Sequence, residues 1–150
     1  MRRLRPLGLI AAIWLGCASV EEPGPAAERD RASFDANVWP ILVRDCGFSQ
    51  CHGSTERFFR VVGPGHERLD PTLRLTAPAT EAELQFSYDR ARSMIDVSDP
   101  INSLLLRKPL EVSAGGSGHE GTDDFGRDVY RSVNDPSYRV LLAWVVGVVP

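Results

Sequence analysis

A small, mainly α domain with long loops is the fold class the sequence predicts. Three observations point to it: an apolar stripe at helical spacing near residue 40, a second at the C-terminus, and 13 Gly with 11 Pro between and around them.

The first stripe is Phe34, Val38, Ile41 and Leu42, at i, i+4, i+7 and i+8, widened by Trp39 and Val43. Ser33 is the expected N-cap, and Pro40 inside the pattern predicts a kink or a late start. Asn134-Asp135-Pro136 predicts the last helix, with a capping side chain ahead of Pro in the first turn. From there Tyr138, Leu141, Leu142, Val145 and Val146 share a face that Trp144 broadens, running to about Val148. Between the two, Thr80 to Arg92 reads as a polar helix with Leu84, Tyr88 and Ala91 on one side. Ile101 to Lys108 reads as a further helix opening at Pro100, with Asp99 or Ser98 as its cap.

The chain has 150 residues, with 17 Lys+Arg against 20 Asp+Glu and a formal charge of −3. No basic run follows the first five residues, so nothing draws a phosphate backbone, and nucleic acid is excluded as an expected partner. Met1-Arg2-Arg3-Leu4-Arg5 and the apolar stretch Leu7–Leu15 read as an export signal too short to span a bilayer. The stretch ends in Gly16-Cys17, which resembles a bacterial lipoprotein signal, although Trp14 stands where Leu is usual. The expected division is a signal peptide at 1–17 with Cys17 lipid-modified, a Pro/Gly/Glu-rich flexible tether at 18–32 and one domain at 33–150. Secretion with nearby cleavage and an uncleaved anchor are the alternatives. All three place the domain outside the cytoplasm, in the periplasm or cell envelope.

If Cys17 carries lipid, Cys46 and Cys51 remain, in the run Cys46-Gly47-Phe48-Ser49-Gln50-Cys51-His52-Gly53. A C-x-x-C-H signature attaches haem because two thiols on one turn reach two vinyl groups while the adjacent His meets the iron. Here the spacing is C-x4-C-H. The enlarged loop keeps the second Cys beside His52, and Gly47 offers it backbone freedom. Two other readings stand beside this one: a structural disulfide between Cys46 and Cys51, and a metal site, of which zinc lacks a fourth ligand at a usual spacing. For a haem iron bound by His52, the candidates for the second axial position are His119, His66 and Met94. His119, in the loop Ser113–Gly121, is the expected ligand. Met94 is the alternative, and His66 reads as a turn residue. Asp123-Asp124 reads as a solvated turn, and no Ser/His/Asp set, paired-carboxylate site or phosphate loop is recognisable.

The order Val38-Trp39-Pro40-Ile41-Leu42, C-x4-C-H-G, Asp99-Pro100-x-x-Ser103-Leu104-Leu105-Leu106-Arg107-Lys108-Pro109, Gly-Gly-x-Gly-His119, then Pro136-x-Tyr138-x-x-Leu141-Leu142-x-Trp144 resembles the cytochrome-c-like domains common in planctomycete and myxobacterial exported proteins. It covers about residues 34 to 150. The chain departs from the family at His119-Glu120-Gly121, where the family more often runs on into glycines. The resemblance implies a small cytochrome-c-like helical domain around one covalent haem c. It makes Cys46 and Cys51 the attachment thiols, His52 the proximal ligand and His119 the loop histidine. The expected function is electron transfer with redox partner proteins, in a lipid-anchored protein that is not an enzyme. A non-haem binding or structural module with a Cys46–Cys51 disulfide is the alternative, and a haem peroxidase or sensor is a further one.

Overall fold

The structure, a computed structural model, describes residues 29–119 and 128–148. Cys17, the expected signal, most of the tether and Asp123-Asp124 lie outside the described residues. The described chain is mainly helical. Its elements are α1 (Arg31–Ser33), a π-helical turn (Phe34–Val38), α2 (Trp39–Cys46), α3 (Glu81–Arg92), a 3-10 turn (Pro100–Asn102), α4 (Leu104–Arg107), a second 3-10 turn (Val112–Ala114) and α5 (Pro136–Val145). Among the described residues the only β pairing is the isolated parallel bridge between Leu110 and Tyr130. No described helix is long and apolar enough to cross a membrane.

The N-terminal helical run begins earlier than expected. Asp30, not Ser33, is the cap: its carboxylate accepts from the Ser33 N–H, while Ser33 itself is buried. Pro40 has no N–H to offer the carbonyl four residues back. Ahead of it the helix widens, and the Trp39 N–H reaches the Phe34 carbonyl across five residues. The expected kink is therefore a π turn. The residues assigned to the end of the tether also pack: the Tyr88 hydroxyl donates to the Arg29 carbonyl, and Arg29 Nε donates to the Val145 carbonyl at 2.8 Å.

The core closes where three helical segments meet. The Phe34 ring lies 5.3 Å from Tyr88 and 5.2 Å from Trp144, centroid to centroid, tying the π turn to α3 and α5. Leu42, Leu106, Leu141 and Val145 fill the space around them. Burying such side chains supplies about 25 cal/mol per Å² of apolar surface, the main force holding the helices together.

Thr80 caps α3 in a reciprocal box with Glu83. The same Glu83 is fully buried against Arg68, with Nε–Oε1 at 2.7 Å and Nη2–Oε2 at 2.9 Å. Arg68 also donates to the carbonyls of Arg74, Ala77 and Pro78, so one side chain gathers the loop before α3.

The stretch from Ile101 to Lys108 is not one helix. Ser103 is extended at ψ 143° and separates the 3-10 turn from α4, and its hydroxyl accepts from the Asp96 N–H at 3.0 Å instead of capping α4. At the C-terminus, Asp135 caps α5 through the Ser137 and Tyr138 N–H groups. The helix stops at Val145, three residues before the expected end, because Gly147 turns left-handed at φ 84°.

Candidate functional site

α2 delivers Cys46 at its last turn, and the C-x4-C-H-G run wraps back on that turn. The His52 N–H donates to the Cys46 carbonyl at 3.0 Å, and the Cys51 and Gly53 N–H groups both donate to the Phe48 carbonyl at 2.9 Å. Gly47 has φ −74° and ψ 3°, which any residue adopts, so its expected backbone freedom is not what the loop uses. What the loop uses is space. A Cβ on Gly47 would lie 2.7 Å from the Val43 carbonyl oxygen, and one on Gly53 only 2.2 Å from the Gly47 carbonyl oxygen.

This wrapped loop forms one wall of a cavity of about 300 Å³, within the size range of small-molecule sites. Cys46, Cys51, His52, His119 and Met94 all line it. Leu42 and Leu141 floor it from α2 and α5, and Leu104, Leu105 and Lys108 close another side from α4 and the residues after it. The two thiols are not joined to each other. Cys46 is buried, and that burial, with Asp45 and Cys51 adding, pushes its thiol up to about 12.

His52 is held in the wall by a backbone carbonyl and an aromatic ring. Its Nδ1 lies 2.9 Å from the Phe59 carbonyl oxygen. A carbonyl only accepts, so Nδ1 carries the proton and Nε2 keeps its lone pair. The Phe59 ring stands edge-on to the imidazole with centroids 4.7 Å apart. Burial pushes the imidazole below its ordinary value, outweighing the Phe59 hydrogen bond, and His119 and Arg57 push the same way. His52 is therefore neutral near pH 7, the form that binds a metal.

The His119 ring lies 5.9 Å from the His52 ring, centroid to centroid, tilted by 47°. It arrives on a loop pinned to the body at three points. The Gly116 N–H donates to the Glu111 carbonyl, the Ser117 N–H donates to the Arg107 carbonyl, and Lys108 Nζ donates to the Gly118 carbonyl at 3.1 Å. Gly116 passes so close to Leu110 that a Cβ would fall 1.7 Å from the Leu110 carbonyl oxygen. Met94 is half-buried just after α3, its carbonyl accepting from the Leu105 N–H at 3.3 Å. His66 lies outside the cavity wall. It sits in a turn on the Gly63 carbonyl and sets its ring edge-on against Phe48, 5.2 Å away.

The sequence reading missed five contributors. Phe59 orients His52, Asp45 and Tyr130 meet beside Cys46 with the phenol donating at 3.0 Å, and Arg57 and Lys108 bring positive charge to the cavity. Only the adjacency of Asp45 to Cys46 was visible in the chain.

Among the described residues no group of three or more His, Cys, Asp or Glu side chains is placed to hold a metal ion. Compared with known proteins, the chain matches no family model, no curated protein and no solved structure.

Proposed function

We propose that this chain is a c-type cytochrome domain that carries one haem, covalently attached through Cys46 and Cys51, and passes single electrons. The observation that carries the reading is the pair of imidazoles, His52 and His119, 5.9 Å apart in a cavity whose wall also holds both thiols. Two imidazoles bound to one metal through bonds of about 2 Å bring their ring centres about 6 Å apart. The residues present fit the group: two donors suit a metal whose remaining ligands come from a ring, and apolar side chains suit the ring.

Haem, when bound, supplies an iron that gains and loses one electron. The chain's own part is to hold it. The Phe59 carbonyl fixes the His52 tautomer and aims Nε2, a support that ordinarily matters nearly as much as the ligand. Cys46 and Cys51 each add S–H across a vinyl double bond, the sulfur forming the C–S bond and the proton going to the other vinyl carbon. His119 would hold the iron together with His52, and two imidazole ligands would favour electron transfer over binding of small molecules at the metal. The N-terminal features extend the proposal to an exported protein, tethered by lipid at Cys17 and serving redox partner proteins outside the cytoplasm.

The test is the intact mass and visible spectrum of the full chain made in a host with haem-ligation machinery. Covalent haem adds about 600 Da to the processed polypeptide and gives a coloured, low-spin product. A colourless protein lighter by two hydrogens is instead the disulfide-linked module, and it overturns the proposal.

A further inference from the structure

The cavity is unevenly charged. Three charged side chains of acid or base type line it besides the histidines: Asp45, Arg57 and Lys108. Asp45 is already satisfied. Arg44 meets it at 2.6 Å and 2.8 Å through Nε and Nη2, and the Tyr130 hydroxyl donates to it at 3.0 Å. Neither Arg57 nor Lys108 has a carboxylate within ion-pair distance among the described residues. Among the described residues, Lys108 Nζ donates to the Gly118 carbonyl alone. Both residues are exposed, whereas Cys46, Leu42 and Leu141, which line the same cavity, are buried. Two exposed cations with no ion pair among the described residues thus line a cavity that is otherwise largely apolar. That arrangement calls for a ligand with an apolar body and two anionic groups.

We infer that Arg57 and Lys108 receive the two carboxylates of the haem, so that the ring enters with its vinyl edge inward at the thiols and its carboxylate edge at the rim. The inference rests on the haem reading above and adds the direction in which the ring lies. Iron protoporphyrin carries its two propionates together on one edge, matching in number and sign the two exposed cations that line the cavity. A guanidinium and an ammonium each form charge-assisted bonds to carboxylate, the stronger kind of hydrogen bond. At an exposed rim that attraction is screened, so the effect is modest and falls as salt rises.

The experiment titrates the full chain, made without haem attachment and kept reduced, with ferric haem and with its dimethyl ester, following absorbance. Haem is expected to bind about tenfold tighter than the ester at low salt, and R57Q/K108Q to remove that preference while leaving the ester's affinity unchanged. Equal affinity for the two, unaffected by R57Q/K108Q, overturns the inference and leaves the haem reading standing. If the chain without attached haem takes up neither, the resonance Raman spectrum of the haem-loaded chain decides: a propionate bending mode that moves in R57Q/K108Q supports the inference, and one that does not move overturns it. The haem reading itself stands or falls separately, on the intact mass.

Discussion

Phe59 touches His52 twice, once through its carbonyl, 2.9 Å from Nδ1, and once through its ring, edge-on at 4.7 Å. The two contacts have separable consequences. Phe59→Ala keeps the carbonyl and removes a buried ring, so it costs about 3 kcal/mol of stability, while Phe59→Leu costs about 1 kcal/mol. Urea denaturation checks both. In the haem-loaded protein the leucine variant retains the low-spin spectrum, because the hydrogen bond that orients His52 comes from the backbone.

Gly53 leaves no room for a side chain, with the Gly47 carbonyl oxygen 2.2 Å from where a Cβ would sit. Gly53→Ala therefore forces the backbone of the C-x4-C-H turn apart and costs about 3 kcal/mol. Covalent haem per chain, read by mass, falls at least severalfold although Cys46, Cys51 and His52 are all unchanged.

Cys46 and Cys51 differ in exposure, the first buried and the second only partly so. Burial pushes Cys46 up to about 12, and the thiolate is the form that reacts. In the reduced chain without haem, alkylation at pH 8 followed by mass spectrometry is expected to label Cys51 well before Cys46. Labelling of both at one rate would mean that this wall of the cavity is open.

Glu83 is held down to about 2, first by its Arg68 partner and then by the Thr80 and Leu69 N–H groups, against the cost of burial. A carboxyl lowered in the folded state contributes stability that is fully present above its unfolded value near 4.5 and is lost as pH falls through about 2. Urea midpoints are expected to hold between pH 7 and 5 and then drop progressively toward pH 2. Glu83→Gln lowers the midpoint at pH 7 and flattens that acid-side decline.

His119 and Met94 share the cavity, and their removal is expected to read out differently. His119→Ala in the haem-loaded chain abolishes the bis-imidazole spectrum. Met94→Leu leaves spectrum and potential unchanged. A thioether ligand holds the potential higher than imidazole does. A rise in the potential of His119→Ala that disappears in the His119→Ala/Met94→Leu double variant would show Met94 moving onto the iron.

Much of this architecture is local and therefore legible in the chain. The stripes of α2 and α5, the Thr80 and Asp135 starts and the contiguous Cys-His motif each depend on residues a few positions apart. What was not legible depends on distant partners. The Asp30 cap wins over Ser33 because the segment packs on α5, where Trp144 donates to the Asp30 carbonyl at 3.0 Å. The break at Ser103 follows from its hydroxyl serving Asp96, and the Arg68–Glu83 clasp joins residues fifteen apart. The pairing of Phe59 with His52 depends on a backbone carbonyl, which no side-chain pattern announces. Arg57 and Lys108, ordinary surface cations in the sequence, acquire meaning only from the cavity they flank.

Arg29 sits beside Val145, its guanidinium bonded to the carbonyl there. The first and last described segments thus meet at one corner of the helical body. A pull between Arg29 and Val148 acts across that corner, where the Arg29–Val145 and Trp144–Asp30 hydrogen bonds join the two segments. A short linker from Val148 back to Arg29 would suffice to close the chain into a ring, freeing new termini to be opened in a distant surface turn.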